Sequence, residues 1–175
     1  MKNLALILIL VLCSCTSTPK YDYKLKKVID GDSLVIESLL DGHEEEVRLL
    51  GIDTPEYTQD PWGKRAREFV LENIQQGEVL AVETVEPRRD KYGRLLAFVF
   101  FEDEKEKKFL NEEILEAGFA ELYILNKWNS YNSRLKEAEA SAREQSLNIW
   151  SSNGLKMSPY QYRKKNKKKL SSRTK

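Results

Sequence analysis

The chain has 175 residues, enough for one domain of ordinary size. Hydrophobic residues at 41% and charged residues at 33% exclude both a multi-span membrane protein and a fully disordered chain. The formal charge of +1 hides an asymmetry: nine Lys/Arg and no acid in residues 156–175 leave 20 basic against 28 acidic groups in residues 1–155, an acidic body of net −8 with a basic tail.

The N-terminus reads as an address. Lys2 is a short positive region, and Leu4 to Leu12 is an unbroken apolar run. A bilayer-spanning helix needs about 20 such residues, so this run suits the core of a secretory signal instead. Leu12-Cys13-Ser14-Cys15 follows and resembles the bacterial lipoprotein box. Cys15 fits the lipidated position best, with the small Ser14 before it; Cys13 would put bulky Leu12 at the cleavage site. An ordinary cleaved signal with incidental cysteines is the alternative. The lipoprotein reading makes residues 1–14 the signal peptide and residues 15–21 a tether. It implies export and an acyl anchor on the extracytoplasmic side, with no cysteine left for a disulfide.

Alternation predicts strands over residues 22–29, 33–37 and 47–52, a meander with a hairpin turn at Asp41-Gly42. Pro55 ends the third strand, because it has no N–H for a ladder. Ala66, Phe69, Val70 and Ile74 fall at helical spacing, with Gly77 as a stop. Strands follow over residues 79–85 and 95–101, around a turn at Asp90–Arg94. The charged run 102–108 reads as a solvated loop. A short helix over residues 109–117, a short strand over 119–125 and an amphipathic helix over 131–146 complete the domain, which spans residues 22–152. The order β-β-β-α-β-β-α-β-α predicts an α+β fold. A five-stranded barrel of the OB type with three packed helices protects the sheet edges most economically. Residues 153–175 read as a disordered basic tail. It is either solubilising or a contact for nucleic acid or anionic lipid headgroups.

Three constellations carry the chemistry. Asp30 and Asp32 flank Gly31 and point to one face in extended chain. Asp53 and Glu56 bracket Thr54-Pro55. Arg48 precedes Asp53 by five residues, and Arg94 ends the Asp90 turn. Taken singly, these are ordinary turns, caps and surface ion pairs. Together they are hard oxygen donors suited to Ca²⁺ or Mg²⁺, beside arginines suited to an anion and a carboxylate able to act on water. The lone histidine, His43, leaves little room for a zinc site or a Ser-His-Asp triad.

Val28-Ile29-Asp30-Gly31-Asp32-Ser33, Arg48-Leu49-Leu50-Gly51-Ile52-Asp53-Thr54-Pro55-Glu56, Asp90-Lys91-Tyr92-Gly93-Arg94-Leu95-Leu96-Ala97 and Leu147-Asn148-Ile149-Trp150 resemble the staphylococcal nuclease family in order and spacing. The resemblance covers about residues 22–152 and implies an OB barrel with three helices. It implies that Asp32, Asp53 and the backbone carbonyl of Thr54 bind Ca²⁺, with Asp30 close behind them. Glu56 would be the general base or hold the attacking water. Arg48 and Arg94 would stabilise the transition state, and Lys91 and Tyr92 would contact a terminal phosphate. The implied activity is cleavage of DNA and RNA, single strands preferred, to 3′-phosphate ends, by a monomer.

The family has two tyrosines after the second helix; an ungapped reading puts Ile124 and Asn126 there, leaving Tyr123 and Trp128 as the aromatic candidates. The alternative function is a binding module on the same barrel that has lost its chemistry. The presence of Asp32, Arg48, Asp53, Glu56 and Arg94 favours the enzyme over that module, and over a purely structural surface lipoprotein.

Overall fold

A computed structural model describes residues 22–124 and 130–173. The proposed signal, Cys15 and the whole tether lie outside the described residues, as do Asn126 and Trp128. No described helix is long and apolar enough to cross a membrane.

β1 (Tyr23–Val28), β2 (Ser33–Ser38) and β3 (Glu44–Leu49) form the expected antiparallel meander. After helix α1 (Trp62–Asn73), β5 (Val79–Arg89) pairs with β1, and β6 (Leu95–Asp103) pairs with β5. The parallel pairing of β6 with β3, Arg48 opposite Leu96, closes five strands into a barrel. The α+β fold of the OB type therefore stands. Closure leaves few strand edges unpaired, and the interior is filled by fully buried side chains such as Leu34, Ile36, Leu80 and Phe98. At one end, Phe100 stacks on Phe109 at 4.7 Å and Phe98 meets Tyr131 edge-on at 4.7 Å.

Three elements differ from the sequence reading. The third strand breaks after Leu49, and β4 (Gly51–Asp53) leaves the barrel to pair with β8 (Glu121–Tyr123). Gly51 makes the break at φ +78, a value disfavoured for side-chain-bearing residues, and a Cβ there would lie 2.4 Å from Leu135 Cδ1. Second, the charged run contains β7 (Glu106–Phe109), a hairpin partner of β6. Its charges are consistent with a strand because they face solvent, and Glu104 and Lys105 take the turn at positive φ.

Third, the tail is helical. Beyond α2 (Leu110–Glu116), α3 (Asn132–Glu144) and a single 3₁₀ turn at Asn148–Trp150, a fourth helix α4 runs over Pro159–Arg173. The expectation of disorder weighed charge and overlooked the start signal. The Gln161 N–H donates to Ser158 Oγ at 3.2 Å, and the Ser158 N–H donates to Gln161 Oε1 at 3.2 Å. That is a reciprocal capping box, with buried Pro159 at the first helical position where its missing donor costs nothing. Two hydrogen bonds dock this start onto the barrel. Gln59 Nε2 donates to the Met157 carbonyl at 2.6 Å, and the Tyr162 hydroxyl donates to the Thr58 carbonyl at 2.9 Å.

Candidate active site

The meander and β4 deliver their acids to one end of the barrel. After β1 the chain turns tightly: the Ile29 N–H donates to the Ser33 carbonyl at 2.9 Å, and the Asp32 N–H donates to Asp30 Oδ1 at 3.1 Å. Gly31 is needed there for space. A Cβ would come within 2.9 Å of both Ala66 on α1 and Thr54. Buried Asp32 then fastens this turn to the end of β4, accepting the Thr54 N–H on Oδ2 at 2.8 Å and the Ser33 hydroxyl on Oδ1 at 3.2 Å. Asp53 is 2% exposed beside it.

Asn111 holds β4 in place from below. It is fully buried in α2, donates through Nδ2 to the Leu50 carbonyl at 2.8 Å and accepts the Val99 N–H on Oδ1 at 3.0 Å. The strand break at Leu50 would otherwise bury an unpaired carbonyl.

Arg48 on β3 joins the two aspartates. Its Nη2 lies 3.2 Å from Asp32 Oδ2 and 3.1 Å from Asp53 Oδ1. One cationic nitrogen thus touches both carboxylates. Arg94 stands apart from them and is held by its own turn. Its Nε donates to Asp90 Oδ2 at 2.9 Å, and Asp90 Oδ1 accepts the Tyr92 and Arg94 N–H groups. Burial works to raise the Asp90 pKa, but these donors outweigh it and hold the carboxyl below its ordinary value. Arg94 Nη1 also reaches the Ser33 hydroxyl at 3.3 Å, so Ser33 links it to Asp32. Lys91 and Arg94 both lie over the exposed Tyr92 ring, at 5.0 and 5.7 Å from its centre. Asp30 is pushed up to about 6, first by burial and next by the charge of Asp32.

The expected residues come together. Asp30, Asp32, Arg48, Glu56, Lys91 and Arg94 border one open cleft of about 1080 Å³. Tyr92 lines it as well, whereas Asp53 and Thr54, both buried, do not border it and reach it through their contacts with Arg48, Arg163 and Asp32. Tyr123 also lines the cleft and is 40% exposed, available for stacking.

One residue of the site was hidden in the basic run. Arg163, on the first turns of α4, enters the cleft from the far side. Its Nη1 and Nη2 donate to Asp53 Oδ1 and Oδ2 at 2.9 and 2.8 Å, a two-pronged pair, and Nη1 also donates to Glu56 Oε1 at 2.8 Å. These bonds, that to Asp53 foremost, raise the Arg163 pKa further above its ordinary value. The sequence signal was available: Arg163 lies five residues past the cap at Ser158, one helical turn and a half along a helix that starts against the site.

Among the described residues, no three acidic, His or Cys side chains are grouped as a metal cage. The side chains suited to a metal are instead two carboxylates, Asp32 and Asp53, hard oxygen donors of the kind that Ca²⁺ or Mg²⁺ takes. Both Asp53 and Glu56 meet one cationic group, the Arg163 guanidinium.

The comparisons with known proteins agree with this geometry. The family model described as staphylococcal nuclease homologue matches residues 46–152. A thermonuclease of Staphylococcus intermedius is 35% identical over 133 residues, covering 73% of this chain and 75% of that protein. A thermonuclease of Staphylococcus hyicus is 31% identical over 134 residues, covering 74% and 75%. The endonuclease YncB of Bacillus subtilis is 32% identical over 136 residues, covering 74% and 62%. With its barrel closed, its acids gathered at one end and its matched segment running from β3 past the final 3₁₀ turn, the chain belongs to the staphylococcal nuclease family.

Proposed function

We propose that the protein is an exported Ca²⁺-dependent nuclease that hydrolyses phosphodiester bonds of DNA and RNA, single strands preferred, leaving 3′-phosphate ends. The observation that supports this most is the convergence of Asp32, Asp53 and Glu56 with Arg48 and Arg94 around one cleft. The relatives named thermonuclease and endonuclease support a nuclease in general terms.

In this reading Asp32, Asp53 and the Thr54 carbonyl hold Ca²⁺, with Asp30 behind them. The bound ion supplies positive charge at a phosphate oxygen. Glu56 takes the proton of a water whose oxygen bonds to phosphorus. Arg48 and Arg94 donate to the phosphate oxygens as charge builds on them, an effect worth most in a preorganised site. The Asp90 pair and the Ser33 contact fix Arg94 before substrate arrives. As the bond from phosphorus to the 5′ oxygen breaks, Arg94 hydrogen-bonds that oxygen, which takes its proton from solvent. Lys91 and Tyr92 meet a terminal phosphate, and Tyr123 offers a face to a base. The protein acts as a monomer, held at the membrane by acyl chains on Cys15.

The test uses the chain from Thr16 to Lys175, which contains every described residue. Cleavage of single-stranded DNA is followed with Ca²⁺, with Mg²⁺ and with EDTA, beside Glu56→Ala. Calcium-dependent cleavage, abolished by EDTA and lowered about 10²–10⁴-fold in the variant, is expected for loss of a general base. Salt-sensitive binding of the strand without cleavage under any metal would replace the enzyme by the binding module.

A further inference from the structure

Arg163 bonds to two residues that the proposed reaction needs free. Asp53 is a proposed metal ligand and Glu56 the proposed base. The guanidinium takes both oxygens of one and an oxygen of the other. Nor is the contact that of a loose side chain. The capping box fixes where α4 starts, the Gln59 and Tyr162 bonds fix where that start sits, and Arg163 follows Tyr162 directly. At 37% side-chain exposure Arg163 remains within reach of solvent, whereas Asp53 is at 3%.

We propose that helix α4 is a built-in inhibitor: Arg163 occupies the carboxylate site as a tethered cation, and a divalent metal must displace it to reach Asp53, which also frees Glu56. The proposal rests on the metal-dependent reading above. Asp53 already meets two guanidinium groups, Arg48 on Oδ1 and Arg163 on both oxygens, so a metal ligated by Asp53 would be a third cation on one carboxylate, and Arg163, the more exposed of the two arginines, is the one to give way. A tethered group acts at an effective concentration of roughly millimolar, so the arginine contends best with metal at or below that level. The metal-competent fraction is then small at low metal, and the apparent metal affinity falls by that fraction. Export into a calcium-rich medium would release the helix. A calcium-poor interior would keep the enzyme shut and its neighbouring nucleic acids uncut.

The experiment measures metal binding directly, by titration calorimetry with Ca²⁺ and by Tb³⁺ luminescence. It compares residues 16–175 of the native sequence with Arg163→Gln and Tyr162→Phe. Arg163→Gln should bind about tenfold more tightly. Tyr162→Phe, which loosens the helix and keeps the arginine, should shift in the same direction by less. In the native sequence, saturating Ca²⁺ should speed trypsin cleavage at Lys164 and Lys165, as α4 leaves the barrel. Far-UV circular dichroism shows that each variant is folded. Equal or weaker metal binding by Arg163→Gln would overturn the competition and leave the metal-dependent reading intact. So would Ca²⁺-independent trypsin cleavage of α4. Failure of both proteins to bind metal would overturn the metal reading, and the competition with it. Loss of DNA cleavage in Arg163→Gln at unchanged metal affinity would make Arg163 a phosphate contact instead of an inhibitor.

Discussion

Two sides of the cleft meet the same acids in different ways. The barrel side is fixed from many directions. Asp32 ties two strand ends together, Arg48 joins both aspartates at 13% exposure, and Asn111 anchors the strand break beneath them. The α4 side rests on a few bonds near the start of one helix, and its arginine is about a third exposed. Burial and redundancy make the first side stiff. The second side depends on one short stretch, Met157 to Arg163, and would be the first to open. The comparison teaches that one site can draw its hold from several elements on one side and from a single helix start on the other.

Glu56 faces both sides and tests both at once. Glu56→Gln should lower cleavage by about 10²–10⁴-fold, since the amide accepts no proton from water. It should also weaken the hold on α4, because Arg163 loses one of its two close ion pairs among the described residues. Cleavage rates and trypsin digestion of the same sample separate the two effects. Native digestion kinetics for α4 in this variant would break the comparison.

Much of the barrel side was legible in the sequence, because alternation and turn residues act locally. The meander, α1 and the Asp30–Ser33 turn sit where their residues predict. What escaped is informative. β7 was hidden because an edge strand can carry Glu106, Lys107 and Lys108 outward. The break into β4 was hidden because Leu50 continues an apolar run, and only the backbone at Gly51 departs from a strand. Asn111 lies in a stretch that reads as an ordinary short helix; its partners, Leu50 and Val99, are brought to it only by barrel closure. In the sequence Arg163 is one charge among many. Composition describes a charge run as a whole, whereas the capping box at Ser158 and the aromatic at Tyr162 single out one arginine.

The stiffness of the barrel side can be measured. Asn111→Ala strands the Val99 N–H and the Leu50 carbonyl in the core, which should cost about 3 kcal/mol in urea unfolding. Gly31→Ala forces a methyl against Ala66 and Thr54, at about 2 kcal/mol by overpacking. Both should also loosen metal binding, since the first shifts β4 and the second parts Thr54 from Asp32. A stability loss with metal binding unchanged would mean that the acids are held by their own contacts and not by the strands under them.

The smallest effect separates the two sides most cleanly. Ser158→Ala removes the hydroxyl that caps α4 and costs about 1 kcal/mol of helix stability. Nothing else in the barrel depends on that hydroxyl, so the unfolding midpoint of the domain should stay within error. The loss should instead appear in α4 alone: faster trypsin cleavage at Lys164 and Lys165, and Ca²⁺ binding tightened by less than in Arg163→Gln. Added salt should also speed that trypsin cleavage, because the Arg163 pair is exposed enough to be screened while the Arg48 pair is more deeply buried. A midpoint that falls with the cap would show that α4 unfolds together with the barrel. The two sides of the cleft would then form one cooperative unit, and the helix could not leave without taking the site with it.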